Sequence, residues 1–334
     1  MKILLINVDS NFNIAIRKMY SYYKSKKHDV EMIDLCFSGY PHNKTKEIDG
    51  SGFDSVYISN IFRRNAYNVT VSNCSNVEYG GIGSRNPEKQ LPPEIESEDP
   101  FYYPEEDTSY IFITRGCIRN CWFCLVPKYE GNLREYNPDI SKMIKHKKVK
   151  FLDNNILAYE KHCEIFKYLI DKNIRCEFNQ GLDFRLVNDE NLNLLSQLNY
   201  MGEYIFAFDD PKYQKILNTK IKLIKKYIQK PWKVKFYIYF NAERMDPSLL
   251  ISRVEWCRDN ECLPYIMRDE NCWNVPDESY KYFLIDYAGY CNQPKFFKNM
   301  NFEEFLHNRH DKRYKKPNQE RIKESLKFYN DSKL

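Results

Sequence analysis

Six apolar, β-prone segments recur through the second two-thirds of the chain, each followed by a helical pattern, and that alternation restricts the fold more than any other feature. The segments are Tyr110–Thr114, Val149–Leu152, Arg175–Phe178, Tyr204–Phe208, Lys235–Tyr239 and Leu263–Met267. Between them, stretches such as AYEKHCEIFKYLIDKN, DENLNLLSQL and PSLLISRVEWCRDN carry apolar residues at three- and four-residue spacing, the period of a helix that buries one face. Strand and helix units in series require a parallel sheet, because consecutive parallel strands need a crossover between them. The expected fold class is α/β, with this region either an open parallel sheet or curled into a partial (β/α)6 parallel barrel. Such a barrel places its chemistry just after the strands, at their carboxyl ends.

The first 83 residues predict a smaller unit of the same class. Lys2–Val8 is a compact β-forming run, Asn13–Lys26 an amphipathic helix, Val30–Leu35 an alternating strand and Ser55–Phe62 a buried strand. Asn76–Tyr79 then runs into the turn Gly80-Gly81-Ile82-Gly83. This order suits a small doubly wound lobe. Residues 84–108 hold Pro87, Pro92, Pro93, Pro100 and Pro104 among acidic residues, which is linker composition. The expected division is therefore a lobe at 1–83, a linker at 84–108, the barrel at 109–290, and a basic, Phe-rich helical tail at 291–334.

Composition narrows the setting. An apolar content of 43% supports buried cores and excludes a disordered chain. No stretch of 18 consecutive apolar residues occurs, so no membrane helix is expected. The opening MKILLINVDSN lacks a cleavage-site pattern, and 11 cysteines in 334 residues are too sparse for a disulfide scaffold. The expected location is the cytoplasm, with thiols reduced or bound to metal. A net charge of +5 permits an anionic partner without requiring one.

Three of those cysteines fall within Cys117-Ile-Arg-Asn-Cys121-Trp-Phe-Cys124, directly after the first barrel strand. Composition alone would place such a spacing about 0.01 times in a chain of this length, so chance is a poor explanation. Structural zinc takes four ligands, and no fourth stands close in sequence; His162 and Cys163 would reach it only through the fold. Three closely spaced thiolates suit a [4Fe–4S] cluster with one iron left open.

The Cys117-x-x-x-Cys121-x-x-Cys124 pattern, with Phe123 before the last cysteine, looks like the signature of the radical S-adenosylmethionine superfamily. Its place after the first strand of a (β/α)6 series agrees. TRGCIRNCWFC, together with Asn179-Gln-Gly-Leu-Asp183 and Arg185, resembles the subgroup that carries an N-terminal cobalamin-binding-like domain. The resemblance implies that Cys117, Cys121 and Cys124 hold the cluster and that the methionine part of S-adenosylmethionine chelates the open iron. An electron from the cluster, delivered by a reductant such as flavodoxin or ferredoxin, then cleaves the sulfonium to a 5′-deoxyadenosyl radical. Asp153-Asn154-Asn155 stands where the family often has a Gly-Gly-Glu-like segment binding the methionine amine, so Asp153 and Asn155 are candidate cofactor contacts. Gln180 and Arg185 follow the third strand, Arg185 as a partner for the methionine carboxylate. Asp209 follows the fourth and would accept from the ribose hydroxyls, while Phe123 would cover the adenine. Asn241, Glu243, Arg268 and Asp269 follow the last two strands and are candidates to face substrate.

Cobalamin is a further cofactor that the subgroup resemblance implies. The family's Asp-x-His-x-x-Gly motif is replaced here by Asp9-Ser-Asn11, which excludes histidine ligation of cobalt and leaves binding open. Cys36, Cys74, Cys163, Cys176, Cys257, Cys262, Cys272 and Cys291 are expected to pack rather than bind metal. Basic stretches at Lys145–Lys150, Lys220–Lys235 and His310–Lys316, interleaved with aromatics, suit nucleic acid or simply solvated helix faces. The expected substrate is thus a nucleic acid, a nucleotide or a peptide. The competing reading is a zinc-stabilised nucleic-acid-binding module without catalysis.

Overall fold

The computed structural model describes residues 1–35, 45–313 and 319–333; Cys36 and the Tyr314–Lys316 end of the last basic stretch fall outside them. The chain is an α/β protein with parallel sheets and divides into two compact units. One comprises Met1–Tyr110, Arg119–Asn132 and Ser141–His146; the other comprises Ile111–Ile118, Leu133–Ile140 and Lys147–Leu334.

In the first unit, β1 (Lys2–Asn7), β2 (Asp29–Asp34), β4 (Ser55–Ser59) and β6 (Val77–Gly80) form a parallel sheet in the order β2-β1-β4-β6. A strand of alternating side-chain direction serves two faces, and KILLIN fills both. Leu4 and Ile6 pack with Ile48, Val56, Ile58 and Val69 on one side. Ile3 and Leu5 pack with Ile16, Met19 and Val30 on the other. Helix Ile14–Ser25 starts where Asn13 accepts from the Ile16 amide, a conventional N-cap. A short parallel pair, β3 (Lys46–Asp49) and β5 (Val69–Ser72), has no counterpart in the sequence reading.

Ser55–Phe62 is not one strand: β4 stops at Ser59. The cause is Asp9, a buried carboxylate that accepts from the Ile61 and Phe62 amides at 2.9 and 3.0 Å. Those amides turn inward and leave the ladder. Within the Pro-rich segment, Ile95 is buried beside Ile3 and Leu5, and Glu106 meets Arg17 through both oxygens at 3.2 and 3.3 Å.

In the second unit, β10 (Lys148–Phe151) pairs in parallel with β11 (Arg175–Phe178), and β12 (Tyr204–Ala207), β13 (Val234–Phe240) and β14 (Leu263–Arg268) follow in sequence order, all parallel. Isolated parallel bridges join Cys176 to Tyr200 and Leu182 to Phe206. Helices lie between these strands, including Gln214–Tyr227 and Pro247–Asp259. The latter opens on Asp246 as N-cap with Pro247 next, the favoured order for a helix start. The core is aromatic: Phe151, Phe166, Phe178, Phe206, Phe208, Phe236 and Phe240 are all fully buried.

The expected first strand, Tyr110–Thr114, is broken into β7 (Thr108–Ile111) and β8 (Thr114–Arg115). Ile111 still accepts from the Leu152 amide at 2.9 Å, but the next amides, Ile113 and Thr114, donate to the Asp153 carboxylate instead. The tail after Asn292 is helical at Pro294–Asn299, Phe302–Arg313 and Gln319–Asp331. Among the described residues no helix is long and apolar enough to cross a membrane.

Candidate functional site

The ends of β10 and β11 carry two hydrogen-bonded sets, one around Asp153 and one joining Asn155, Cys117, Asp183 and Arg185. Asp153, two residues past β10, is 3% exposed and accepts from the Thr114 amide at 2.6 Å, the Thr114 hydroxyl at 2.8 Å and the Ile113 amide at 3.1 Å. Burial pushes its carboxyl up to about 6, and those donors hold it from rising further. Asp153 thereby fixes the backbone that leads into Gly116 and Cys117.

Asn155 reaches further. Its Nδ2 lies 3.9 Å from the Cys117 sulfur and 3.3 Å from Asp183 Oδ2. Its Oδ1 is buried and has no hydrogen-bond partner among the described residues. Orphaned buried acceptors are uncommon and costly. Asp183 in turn accepts from Arg185, Nε at 2.6 Å and Nη2 at 3.0 Å, a paired geometry that fixes the guanidinium plane. Arg185 also lies over the Tyr213 ring at 4.7 Å. The sequence reading named Asp183 in a motif without giving it a role; it is the group that aims Arg185.

The other expected contacts stand apart from this set. Gln180 is exposed on the turn after β11. Asp209, past β12, accepts from the Tyr239 amide at 3.0 Å, and burial pushes its carboxyl up to about 6 against the opposing charges of Arg253 and Arg185. Asn241 caps the turn after β13, accepting from the Glu243 and Arg244 amides and from Asn271. Asp269 accepts from the Tyr239 hydroxyl, and Arg268 lies over the Trp273 ring.

Sequence reasoning missed Arg253. It is fully buried in helix Pro247–Asp259 and donates to the carbonyls of Phe208 (3.0 Å), Asp209 (3.1 Å) and Tyr239 (3.2 Å), tying the ends of β12 and β13 together. Burial lowers its guanidinium to about 10.

Cys117 belongs to the second unit; Cys121, Phe123 and Cys124 belong to the first. The Cys124 amide donates to the Cys121 carbonyl at 3.0 Å, and the Phe123 ring meets Trp122 edge-on at 5.6 Å. Among the described residues, no three of His, Cys, Asp and Glu are gathered into a group able to hold a metal ion. As donors, however, the three thiols fit an iron–sulfur cluster: all are half-buried and none is in a disulfide. The other cysteines that could compete are poor thiolates. Burial pushes Cys176 and Cys262 up to about 12, Cys272 to about 11, and Cys257 and Cys291 well above their ordinary value.

Cobalamin fits the first unit badly at the points the sequence offered. Both Asp9 oxygens are taken by the loop after β4. Gly81 packs against Asn60, and a Cβ on Gly83 would meet the backbone of Ile61 and Phe62 at 2.5 Å. Those positions are filled by the protein's own chain.

No family model matches the chain. It is similar to a tRNA-2-methylthio-N(6)-dimethylallyladenosine synthase of Fusobacterium nucleatum subsp. nucleatum, 27% identical over 146 residues. That match spans 42% of this chain and 28% of the synthase.

Proposed function

We propose that the chain is an iron–sulfur enzyme of the radical S-adenosylmethionine superfamily, with Cys117, Cys121 and Cys124 holding a [4Fe–4S] cluster and a nucleic acid as substrate for methylation or another C–H modification. The bound cluster would supply the electron that cleaves the cofactor's sulfonium bond. In this reading the parallel strands of the second unit make a partial (β/α)6 barrel within 109–290. The lobe at 1–83 is cobalamin-domain-like in form, and flavodoxin or ferredoxin serves as reductant. No step runs through cobalamin.

The observation that carries the reading is Asn155, whose amide nitrogen approaches Cys117 while its buried oxygen has no partner among the described residues. An ammonium group beside the cluster satisfies that oxygen. Asp153 is already engaged by Ile113 and Thr114, and in this reading it supports the site while Asn155 makes the amine contact. Arg185, aimed by Asp183, takes the methionine carboxylate. Asp209 takes the ribose hydroxyls, Phe123 covers the adenine, and Gln180 completes the cofactor contacts from its exposed turn. The similarity to a tRNA-modifying synthase supports a nucleic-acid substrate.

The test is anaerobic incubation of the reconstituted protein with dithionite and S-adenosylmethionine. The expected product is 5′-deoxyadenosine, absent from a C117A/C121A/C124A variant. Colourless protein containing one zinc, with no 5′-deoxyadenosine, would overturn the proposal in favour of a binding module.

A further inference from the structure

The loop after β4 displays a cluster of side chains that the cofactor chemistry leaves unused. Ile61, Phe62 and Tyr67 are 40, 45 and 70% exposed, and Arg63, Arg64 and Arg85 are exposed beside them. Arg64 lies over the Phe62 ring at 4.6 Å, and Arg85 lies over Tyr67 and Tyr79 at 4.8 and 4.5 Å. No Asp or Glu occurs from Ser55 to Val77, and among the described residues none of the three arginines is ion-paired. Exposed aromatics grouped in this way mark an interaction surface, and unopposed arginines select an anionic occupant.

The loop is also held rigidly. Beneath it, buried Asp9 accepts from the Ile61 and Phe62 amides and from the Asn65 side chain at 3.1 Å. Asn60 donates to the carbonyls of Phe62 and Gly83, and Arg85 Nε donates to the Ala66 carbonyl at 3.1 Å. Gly83 packs directly on the Ile61–Phe62 backbone, where a side chain would not fit. A buried carboxylate, a buried amide and a close-packed glycine are thus committed to presenting two rings and three guanidinium groups. Fixing the loop before binding removes an ordering cost that a mobile loop would incur on association.

We propose that this loop, with Arg85, is a docking surface for unpaired RNA: Phe62 and Tyr67 stack on bases, and Arg63 and Arg64 meet phosphates. Planar rings paired with guanidinium groups match splayed bases along an anionic backbone. A duplex keeps its bases stacked inside and offers the rings nothing. The choice of RNA rests on the function proposed above; the surface itself does not.

The test uses the full chain and a fluorescein-labelled 12-nucleotide oligouridine, followed by anisotropy over a range of salt, with a 12-base-pair RNA duplex alongside. F62A/Y67A is expected to weaken oligouridine binding by roughly 30-fold or more while leaving the duplex unchanged. R63A/R64A is expected to lower the slope of log affinity against log salt by about 1.4, the value for two phosphate contacts on a single strand. Unchanged affinity in F62A/Y67A, equal losses on strand and duplex, or no oligouridine binding by the wild type would each overturn the proposal, the last in favour of a protein partner. Both variants change exposed side chains, so their melting temperatures should match the wild type. 5′-Deoxyadenosine formation without RNA should also be unchanged in them. Its absence from the wild type as well would count against the cofactor chemistry and not against this surface.

Discussion

Asn155 Nδ2 stands 3.9 Å from the sulfur of Cys117, while Asn155 Oδ1 is buried with no hydrogen-bond partner among the described residues. One side chain thus touches a proposed cluster ligand and offers an empty acceptor. N155A should weaken S-adenosylmethionine binding roughly 10- to 100-fold, the value of one hydrogen bond to a charged group, with iron content unchanged. Anaerobic equilibrium dialysis against labelled cofactor reads this. Undiminished binding would remove Asn155 from the site.

Asp153 gives a pH signature. Its folded-state carboxyl is raised from 3.8 to about 6 by burial, so the folded protein holds this proton more tightly than the unfolded chain. Its contribution to stability is complete below pH 4 and is lost as pH rises through about 6. The difference in unfolding free energy, wild type minus D153N, should fall across that window by on the order of 3 kcal/mol. Urea titrations at pH 4, 5, 6 and 7 check it; a difference that grows with pH contradicts the assignment.

Arg253 clamps two strand ends. R253M leaves the carbonyls of Phe208, Asp209 and Tyr239 without this donor and should lower unfolding free energy by roughly 2–4 kcal/mol. R253K should recover less than half, because one ammonium does not reproduce the guanidinium fork. Denaturant midpoints with an unchanged slope would show that the loss is in stability.

Arg17 plays a corresponding part in the first unit. It is buried between Glu106 and Asp34, at 3.2 and 3.5 Å, and over the Tyr103 ring. Removing one member of a buried pair strands the other, so R17M should cost roughly 3–5 kcal/mol. The replacement E106Q should cost less, because an amide oxygen still accepts from the guanidinium.

Much of the fold was legible because burial leaves a period in the sequence. The β10 to β14 strands and the intervening helices declared themselves through apolar spacing, and the helices expected at Asn13–Lys26 and from Pro247 are found at Ile14–Ser25 and Pro247–Asp259. The failures share a cause. β4 ends at Ser59 and the expected strand Tyr110–Thr114 breaks at Phe112–Ile113 because Asp9 and Asp153 capture backbone amides across long sequence distances, and apolar residues continue past both breaks. β3 and β5 were missed because KEID and VTVS are short and half polar. Asp153 and Asn155 were visible as residues following a strand, but their division of labour was not: only the structure separates the engaged carboxylate from the orphaned amide oxygen. Arg253 gave no signal, since an arginine in an amphipathic helix ordinarily faces water.

In the proposed function, Cys117, Cys121 and Cys124 hold an iron–sulfur cube with one corner open to S-adenosylmethionine. Electron paramagnetic resonance of the anaerobic, dithionite-reduced protein, recorded with and without the cofactor, addresses it directly. A reduced-cluster signal that changes on adding S-adenosylmethionine, and that is missing from C117A/C121A/C124A, is the predicted result. A signal indifferent to the cofactor, or one that survives loss of the three cysteines, would contradict the account.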